Sequence, residues 1–594
     1  MLCGGISITT NVSIYGKQVV IRTTSLDWGS VDKIMESELF GAMLSNYLKK
    51  LRENNSELLH ILPKKSEQEQ HTLVLDLLKK LAKEEKHKVL ESTPELEGFF
   101  TDIYLLERFI EEFYNYWRLY ERYLICLPDP KWGQNIEIDK KPYRTFNDTI
   151  EKLNHMVRKI YRDIQENITG EHPIIYRQVP AGCQVGAIAK PANVNLPKKY
   201  STLQNIPLIR QVLIEPPMLI DPPMNKRKGE FALVNSNPLE GIKFNPDEWL
   251  CFPAKVGDLI IYLYFHNFYT GLSLATSNLF EMCAEQDFGK KPDAIYVYGV
   301  PDEAVKKFAP QKTVFFEDKE NNIMVGAIPK GDEFSYFGYI KKMMLTLHNS
   351  IMIKRGRLPV HGAMVRITLK SGEKANIVFV GDSGTGKSES IEAFRVLSGE
   401  NLQELKVVFD DMGSLELTKS GIRAFGTETG AFVRLDDLDS GYAFAQLDRS
   451  IIMSPHKINA RVVVPITTLK EVLHGWPVDY FLYANNYDSA SSGNYIEKFK
   501  SAKDAMDVFG EGKRMAKGTT QEVGITTSYY ANIFGPTQLK EEHDVLAEKY
   551  FNAMFDEKMF VGQIKTQLGI LGMESKGPQQ AARALFELMK AKKG

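Results

Sequence analysis

Val378-Phe379-Val380-Gly381-Asp382-Ser383-Gly384-Thr385-Gly386-Lys387-Ser388-Glu389-Ser390 is the stretch that decides how this chain folds. Gly381 to Ser388 match the pattern G-x-x-x-x-G-K-[ST] at every fixed position. Glycines there let backbone N–H groups turn inward around phosphate oxygens, and a helix that follows the loop presents its positive end to the same anion. In that geometry Lys387 reaches the outer phosphates and the Ser388 hydroxyl faces the Mg²⁺ that accompanies a nucleotide. The flanks agree. Asn376 to Val380 is a short apolar run suited to a buried strand, and Glu389 to Leu397 has the pattern of a helix. The stretch predicts a nucleotide site of the strand–loop–helix kind.

Composition narrows the setting. The 594 residues leave room for several domains, and a formal net charge of −1 gives no reason to expect a nucleic acid or an anionic membrane as partner. Cys3, Cys126, Cys183, Cys251 and Cys283 are scattered without a C-x-x-C pair, so they read as buried or free thiols of a reducing compartment. No basic segment followed by an apolar core opens the sequence, and no apolar run approaches membrane-spanning length. The expectation is a cytoplasmic protein.

Residues 1–170 read as mainly helical after a β-like start from Ile6 to Ile21. Ser30 is placed to cap a helix whose apolar face carries Ile34, Met35, Leu39, Met43, Tyr47 and Leu51. Further helices are predicted over Thr72 to Leu90, Asp102 to Cys126 and Phe146 to Ile168, the last stopped by Gly170. The third is crowded with Phe109, Phe113, Tyr116, Trp117, Tyr120 and Tyr123, a stripe that at helical spacing reads as packing core. Pro173 to Pro223 holds nine prolines and reads as an extended connector. Lys226-Arg227-Lys228 beyond it reads first as a solvated loop and second as a contact for an anionic substrate. Strands are predicted at Leu259 to Phe265 and Ala294 to Val300. The expected division is a helical region over 1–170, a mixed α/β region over 171–330 and an α/β nucleotide-binding domain over 331–594.

Upstream of the loop, Pro359-Val360-His361-Gly362 leads into a hairpin that would carry His361 to the phosphates. Downstream, Leu405 to Phe409 reads as a buried strand ending in Asp410-Asp411, where a carboxylate can meet a metal. A lysine pair, Lys341-Lys342, interrupts an otherwise apolar stretch. In this order the pieces resemble ATP-dependent phosphoenolpyruvate carboxykinase. Gly338, Lys341-Lys342, Met343-Met344, Pro359, His361 and the phosphate loop match that family's sequence of motifs. The likeness continues through Asp410-Asp411, Glu428-Thr429-Gly430 with Arg434 where the family has lysine, and Arg461 ahead of Pro465. It extends to Gly518-Thr519, Gly524-Ile525-Thr526 and Ala531 to Gly535, so that it spans roughly Gly331 to Leu588.

The resemblance implies a carboxykinase-like α/β core with a mixed sheet, behind an α-helical N-terminal region, and an ATP-dependent phosphotransferase. It implies ATP held by Gly381, Asp382, Ser383, Gly384, Thr385, Gly386, Lys387, Ser388, Glu428, Arg434 and Thr526. It implies Mg²⁺ on Ser388 and Mn²⁺ on Lys342, His361 and Asp411, with Lys341, Lys387, Arg461 and Asp410 in catalytic roles. Two departures stand out: Val523 replaces an arginine beside the adenine pocket, and the G-R-S-P-K-D-K signature that binds the oxaloacetate carboxylate has no counterpart. The phosphoryl acceptor, small molecule or protein, is therefore left open. Three alternatives remain beside it: carboxykinase activity proper, an HPr-kinase-like protein-serine kinase whose loop shares Asp382 and Ser388-Glu389, and an ATP-binding sensor or scaffold without turnover.

Overall fold

The computed structural model describes residues 10–23, 30–127, 140–171, 182–191, 194–215, 217–382, 384–397, 402–435, 449–490, 493–516 and 524–591. They form two compact units, Met1–Lys190 with Ile209–Glu215, and Pro191–Leu208 with Pro216–Gly594. The architecture is mixed α/β, with mixed sheets and a helix-rich N-terminal region.

In the first unit, Ser30 accepts the Lys33 N–H as expected of a cap, but its helix lasts only from Val31 to Met35. Ser37 then caps a second helix, Glu38–Glu53, by accepting the Phe40 N–H. The single helix expected over Thr72 to Leu90 is likewise two, Glu67–Leu81 and Lys86–Ser92. The aromatic stripe does form core: Phe109, Phe113, Tyr116 and Trp117 are buried, and Tyr47 packs its ring 5.2 Å from Phe113.

Two expectations are corrected here. The helix predicted to reach Cys126 ends at Arg118, and Glu121–Cys126 is a strand running parallel to Gln18–Thr23. A short, continuously buried apolar run has no period by which a strand can be told from a helix. The proline-rich connector also holds strands, Val185–Lys190 and Leu208–Ile214, bounded by Pro191 and Pro207. Proline ends a strand without removing a ladder bond when it sits at the margin. The β-like start from Ile6 to Ile21 forms the strands Thr10–Tyr15 and Gln18–Thr23 where it is described; its first residues, and Cys3, lie outside the described residues, and Cys126, Cys183, Cys251 and Cys283 are buried thiols outside any disulfide.

In the second unit, Leu259–His266 and Ala294–Val300 are parallel neighbours in one mixed sheet. A second mixed sheet carries the phosphate loop. The strand Lys374–Val380 pairs antiparallel with Leu358–Leu369 and parallel with Tyr480–Asn485, which is itself parallel to Phe560–Lys565. Alternation along the loop strand buries both faces. Val378 and Val380 pack with Phe509, Tyr550 and Phe551 on one side, while Ile377 and Phe379 pack with Phe394, Leu585 and Phe586 on the other. Helices Ala502–Glu511 and Lys540–Asp556 cover the first face, and Lys387–Val396 and Lys576–Ala591 the second. A layered arrangement of this kind fixes the end of the strand, and with it the loop. A smaller sheet, Gly430–Arg434, Arg461–Pro465, Ile451–Met453 and Met218–Ile220, sets Arg434 opposite Arg461. Among the described residues no helix is long and apolar enough to cross a membrane.

The second unit also buries a neutral histidine. His266 accepts the Phe268 N–H at Nδ1 (3.0 Å), and burial, with Lys330 adding, pushes its pKa down to about 4. The unfolded chain takes up a proton near pH 6.5 that the folded chain refuses until about pH 4. Stability that is complete above pH 6.5 is therefore lost as the pH falls through that window, by about 3 kcal/mol for this group. His266→Asn keeps a capping acceptor but cannot titrate. Urea denaturation at pH 7 and pH 4.5 is expected to show a smaller acid-induced loss for the variant than for the native chain.

Candidate active site

The phosphate loop has the backbone its sequence demands. Gly384 and Gly386 adopt φ of +79° and +100°, the left-handed region that glycine enters without a steric penalty. A Cβ on Gly386 would also lie 2.7 Å from the Thr566 hydroxyl oxygen. Thr566 and Asn486 hold the loop from beneath, donating to the carbonyls of Thr385 (2.8 Å) and Gly384 (2.9 Å). Lys387 Nζ donates to the carbonyls of Gly381 (2.6 Å) and Asp382 (3.0 Å). Burial lowers its pKa, with Asp411 and Asp382 resisting. Ser383 and the Ser388 side chain lie outside the described residues, as do Gly518-Thr519 and Val523.

Beside the loop, one carboxylate gathers the residues singled out from sequence. Asp411 Oδ2 accepts from Lys341 Nζ (2.7 Å) and Lys342 Nζ (2.6 Å), while Oδ1 lies 2.9 Å from His361 Nε2. The two lysines arrive from adjacent positions on the helix Phe337–Lys354, His361 from the hairpin strand, and Asp411 from beyond the strand Leu402–Phe409. Asp410 is buried next to it. Burial favours a neutral Asp411, but Lys341 and Lys342 outweigh it and hold the carboxyl well below the usual range. The two lysines then differ. Burial pulls Lys341 down, yet Asp411 and Glu428 leave it raised; burial brings Lys342 down to about 8, helped by the charge of Lys341.

Glu428, expected at the nucleotide, sits fully buried under this cluster. Its Oε1 accepts the backbone N–H groups of Asp411 (2.8 Å) and Met412 (3.0 Å), and Oε2 accepts from Thr427. Burial pushes its pKa up to about 7, against the pull of Lys341. Its contacts make it the residue that aims Asp411.

Two aromatic rings form platforms that no local motif announces. Phe432 has Lys341 Nζ 5.9 Å and the Arg461 guanidinium 5.5 Å from its ring centre. Phe534 has Lys342 Nζ at 4.6 Å and the Arg227 guanidinium at 5.3 Å, and its ring lies 6.0 Å from that of His361. Arg227 also lies 5.1 Å from the Phe231 ring. Ring faces attract cations by about 0.5–2 kcal/mol without neutralising them. The basic run expected first as a solvated loop thus places Arg227 over the Phe534 ring, with the Lys228 N–H bonded to the Tyr339 hydroxyl (3.1 Å). Thr526 pairs in a two-stranded ribbon with Arg514, and its hydroxyl oxygen is buried with no hydrogen-bond partner among the described residues. The same is true of Arg461 Nε and of the Ser390 hydroxyl in the helix after the loop.

The residues proposed for Mn²⁺ fit a cation on one observation. His361 Nδ1 lies 2.6 Å from the Ala531 carbonyl oxygen. That contact assigns the proton to Nδ1 and leaves the Nε2 lone pair facing Asp411. Burial, then Lys342 and Lys387, lower the imidazole pKa, so a neutral ring meets acceptors at both nitrogens. A cation at Nε2 relieves that conflict, and a carbonyl on the remote nitrogen is the usual support of a ligating histidine. No cluster of three or more His, Cys, Asp or Glu side chains able to hold a metal occurs among the described residues; Lys342, 2.6 Å from Asp411, is the further residue that the resemblance names.

No known family model matches the sequence, and no curated protein matches it.

The supports of Asp411 can be tested through stability. Glu428→Ala leaves two buried N–H groups without an acceptor, at about 1.5–3 kcal/mol for each bond to a charged group. Chemical denaturation is expected to show a loss of about 3–5 kcal/mol, most of it recovered in Glu428→Gln, which keeps the acceptor oxygen.

Proposed function

We propose that this protein is an ATP-dependent phosphotransferase with a phosphoenolpyruvate-carboxykinase-like core. The observation that carries the reading is the convergence of Lys341, Lys342, His361 and Asp411 beside Lys387 at the phosphate loop. A site that only sensed nucleotide has no use for that cluster, whereas phosphoryl transfer needs cations where charge is passed from donor to acceptor.

In this reading an acceptor oxygen attacks the γ-phosphorus of ATP as the bond to the ADP oxygen breaks. Lys387 and Arg461 face the transferring group, and Lys341 stays protonated as its neighbour while remaining paired with Asp411. Mg²⁺ on Ser388 and Mn²⁺ on Lys342, His361 and Asp411 would supply further positive charge. Asp411 itself is a poor base because two lysines stabilise its ionised form, so in the protein-kinase alternative the hydroxyl would be deprotonated by Asp410, the other member of the pair.

A second reading, carboxykinase activity proper, is favoured by Arg227. The sequence lacks the family's arginine for the substrate carboxylate, but Arg227 shares Phe534 with Lys342. A guanidinium there suits a carboxylate or phosphate on the acceptor.

Calorimetry with Mg·ATP is expected to show binding that Lys387→Ala weakens at least tenfold; absence of binding to the native protein would sink the proposal. Once an acceptor is found, Arg461→Ala is expected to lower kcat about 10²–10³-fold. Arg227→Ala should chiefly raise the acceptor KM and leave the ATP affinity unchanged. Bicarbonate- and ADP-dependent consumption of phosphoenolpyruvate decides between the two readings.

A further inference from the structure

Asp382 occupies a position that the phosphate-loop pattern leaves free, and backbone N–H groups, not this side chain, form the cradle. Its carboxylate is nevertheless committed. Asp382 Oδ2 accepts from Arg514 Nε (3.0 Å) and from the Ser528 hydroxyl (3.2 Å), and Oδ1 lies 3.7 Å from His361 Nδ1.

Ser528 opens a turn built to point one carbonyl at the histidine. The Ala531 N–H donates to the Ser528 carbonyl (2.7 Å), and the Ser528 N–H donates to the Gly512 carbonyl (3.2 Å). Gly512 approaches so closely that a Cβ there would fall 1.8 Å from the Ser528 oxygen. Tyr530 and Ala531 both hold left-handed backbone, with φ of +48° and +52°. Two successive non-glycine residues in that region persist only where their surroundings over-determine them. Here the Tyr530 ring packs 4.8 Å from His543, and the result is the Ala531 oxygen 2.6 Å from His361 Nδ1.

We propose that Asp382 is a positioning residue that couples nucleotide at the phosphate loop to a divalent cation at His361 and Asp411, through the Ser528–Ala531 turn. The inference rests on the function proposed above. Nucleotide that reorders the loop moves Asp382, Asp382 carries Ser528, and the turn carries the Ala531 carbonyl that fixes which imidazole nitrogen faces the cation. Coupling of this kind is reciprocal, so cation should tighten nucleotide by the factor with which nucleotide tightens cation.

Cobalt(II) is the probe, because its visible bands report its ligands without any turnover. The full-length protein is titrated with Co²⁺ with and without saturating Mg·ADP, and bands abolished by His361→Gln identify the site. In the native protein Mg·ADP is expected to shift those bands and tighten Co²⁺ about tenfold. Asp382→Asn should reduce the effect below twofold and Asp382→Glu should restore part of it. Ser528→Ala, which removes one tie and no phosphate contact, should give an intermediate value and carries the test if Asp382→Asn does not fold. A native protein that binds Co²⁺ and Mg·ADP independently, or variants with the full native response, would overturn the coupling and leave the phosphotransfer reading intact. A native protein that binds neither would overturn both.

Discussion

Asp411 is the interaction on which the site depends. One carboxylate oxygen holds two lysine ammonium groups, at 2.7 and 2.6 Å, and the other faces a histidine. Adjacent lysines on a helix repel each other, and both are taken largely out of water here, so neither would stay in place without an anion between them. Removing one member of a buried ion pair costs about 3–5 kcal/mol because the remaining charge is stranded. The fold meets that constraint from three directions: the lysine helix, the hairpin that brings His361, and the buried Glu428 that grips the backbone at Asp411 and Met412.

The aromatic platforms solve a related problem. Carboxylates paired one-to-one with Lys341, Lys342, Arg461 and Arg227 would cancel the field that a polyphosphate needs. Phe432 and Phe534 hold these cations by their ring faces, and ring faces leave the charge uncancelled. A single carboxylate orders the pair at the centre, and rings steady the cations around it. In the phosphotransfer reading these uncancelled cations would be the groups that stabilise the transferring charge.

What was legible in the sequence was the local chemistry. The strand at Asn376–Val380, the glycines of the loop, the hairpin carrying His361 and the strand into Asp410-Asp411 all have short-range signatures in turn residues and apolar runs. The helix predicted over Asp102–Cys126 stops at Arg118, because Tyr123 to Cys126 is apolar without a period and pairs as a strand instead. Ser37 divided another helix because a serine followed by an apolar run serves equally as an interior residue or a cap. In the site, the pairing of Phe534 with Arg227 has no signature in the sequence for a different reason. They are separated by some three hundred residues, and nothing in the sequence near either residue announces that one ring will serve both Arg227 and Lys342. Glu428 carried a motif but not its direction: only the fold shows that it faces the backbone of Asp411.

In the phosphotransfer reading, the acceptor side follows from where Arg227 stands. Lys387 is bound to the loop's own carbonyls, and Lys341 and Lys342 share Asp411. Arg227 enters from a separate segment, shares the Phe534 ring with Lys342, and its side chain hydrogen-bonds to the carbonyl of Gly229. A guanidinium retains most of its five donors after one such bond. A carboxylate or phosphate on the acceptor would use those donors in pairs, and a neutral acceptor would leave them desolvated without return. In the phosphotransfer reading, Arg227 would thus extend the positive charge of the Asp411 cluster toward the acceptor, and that extension favours an anionic acceptor.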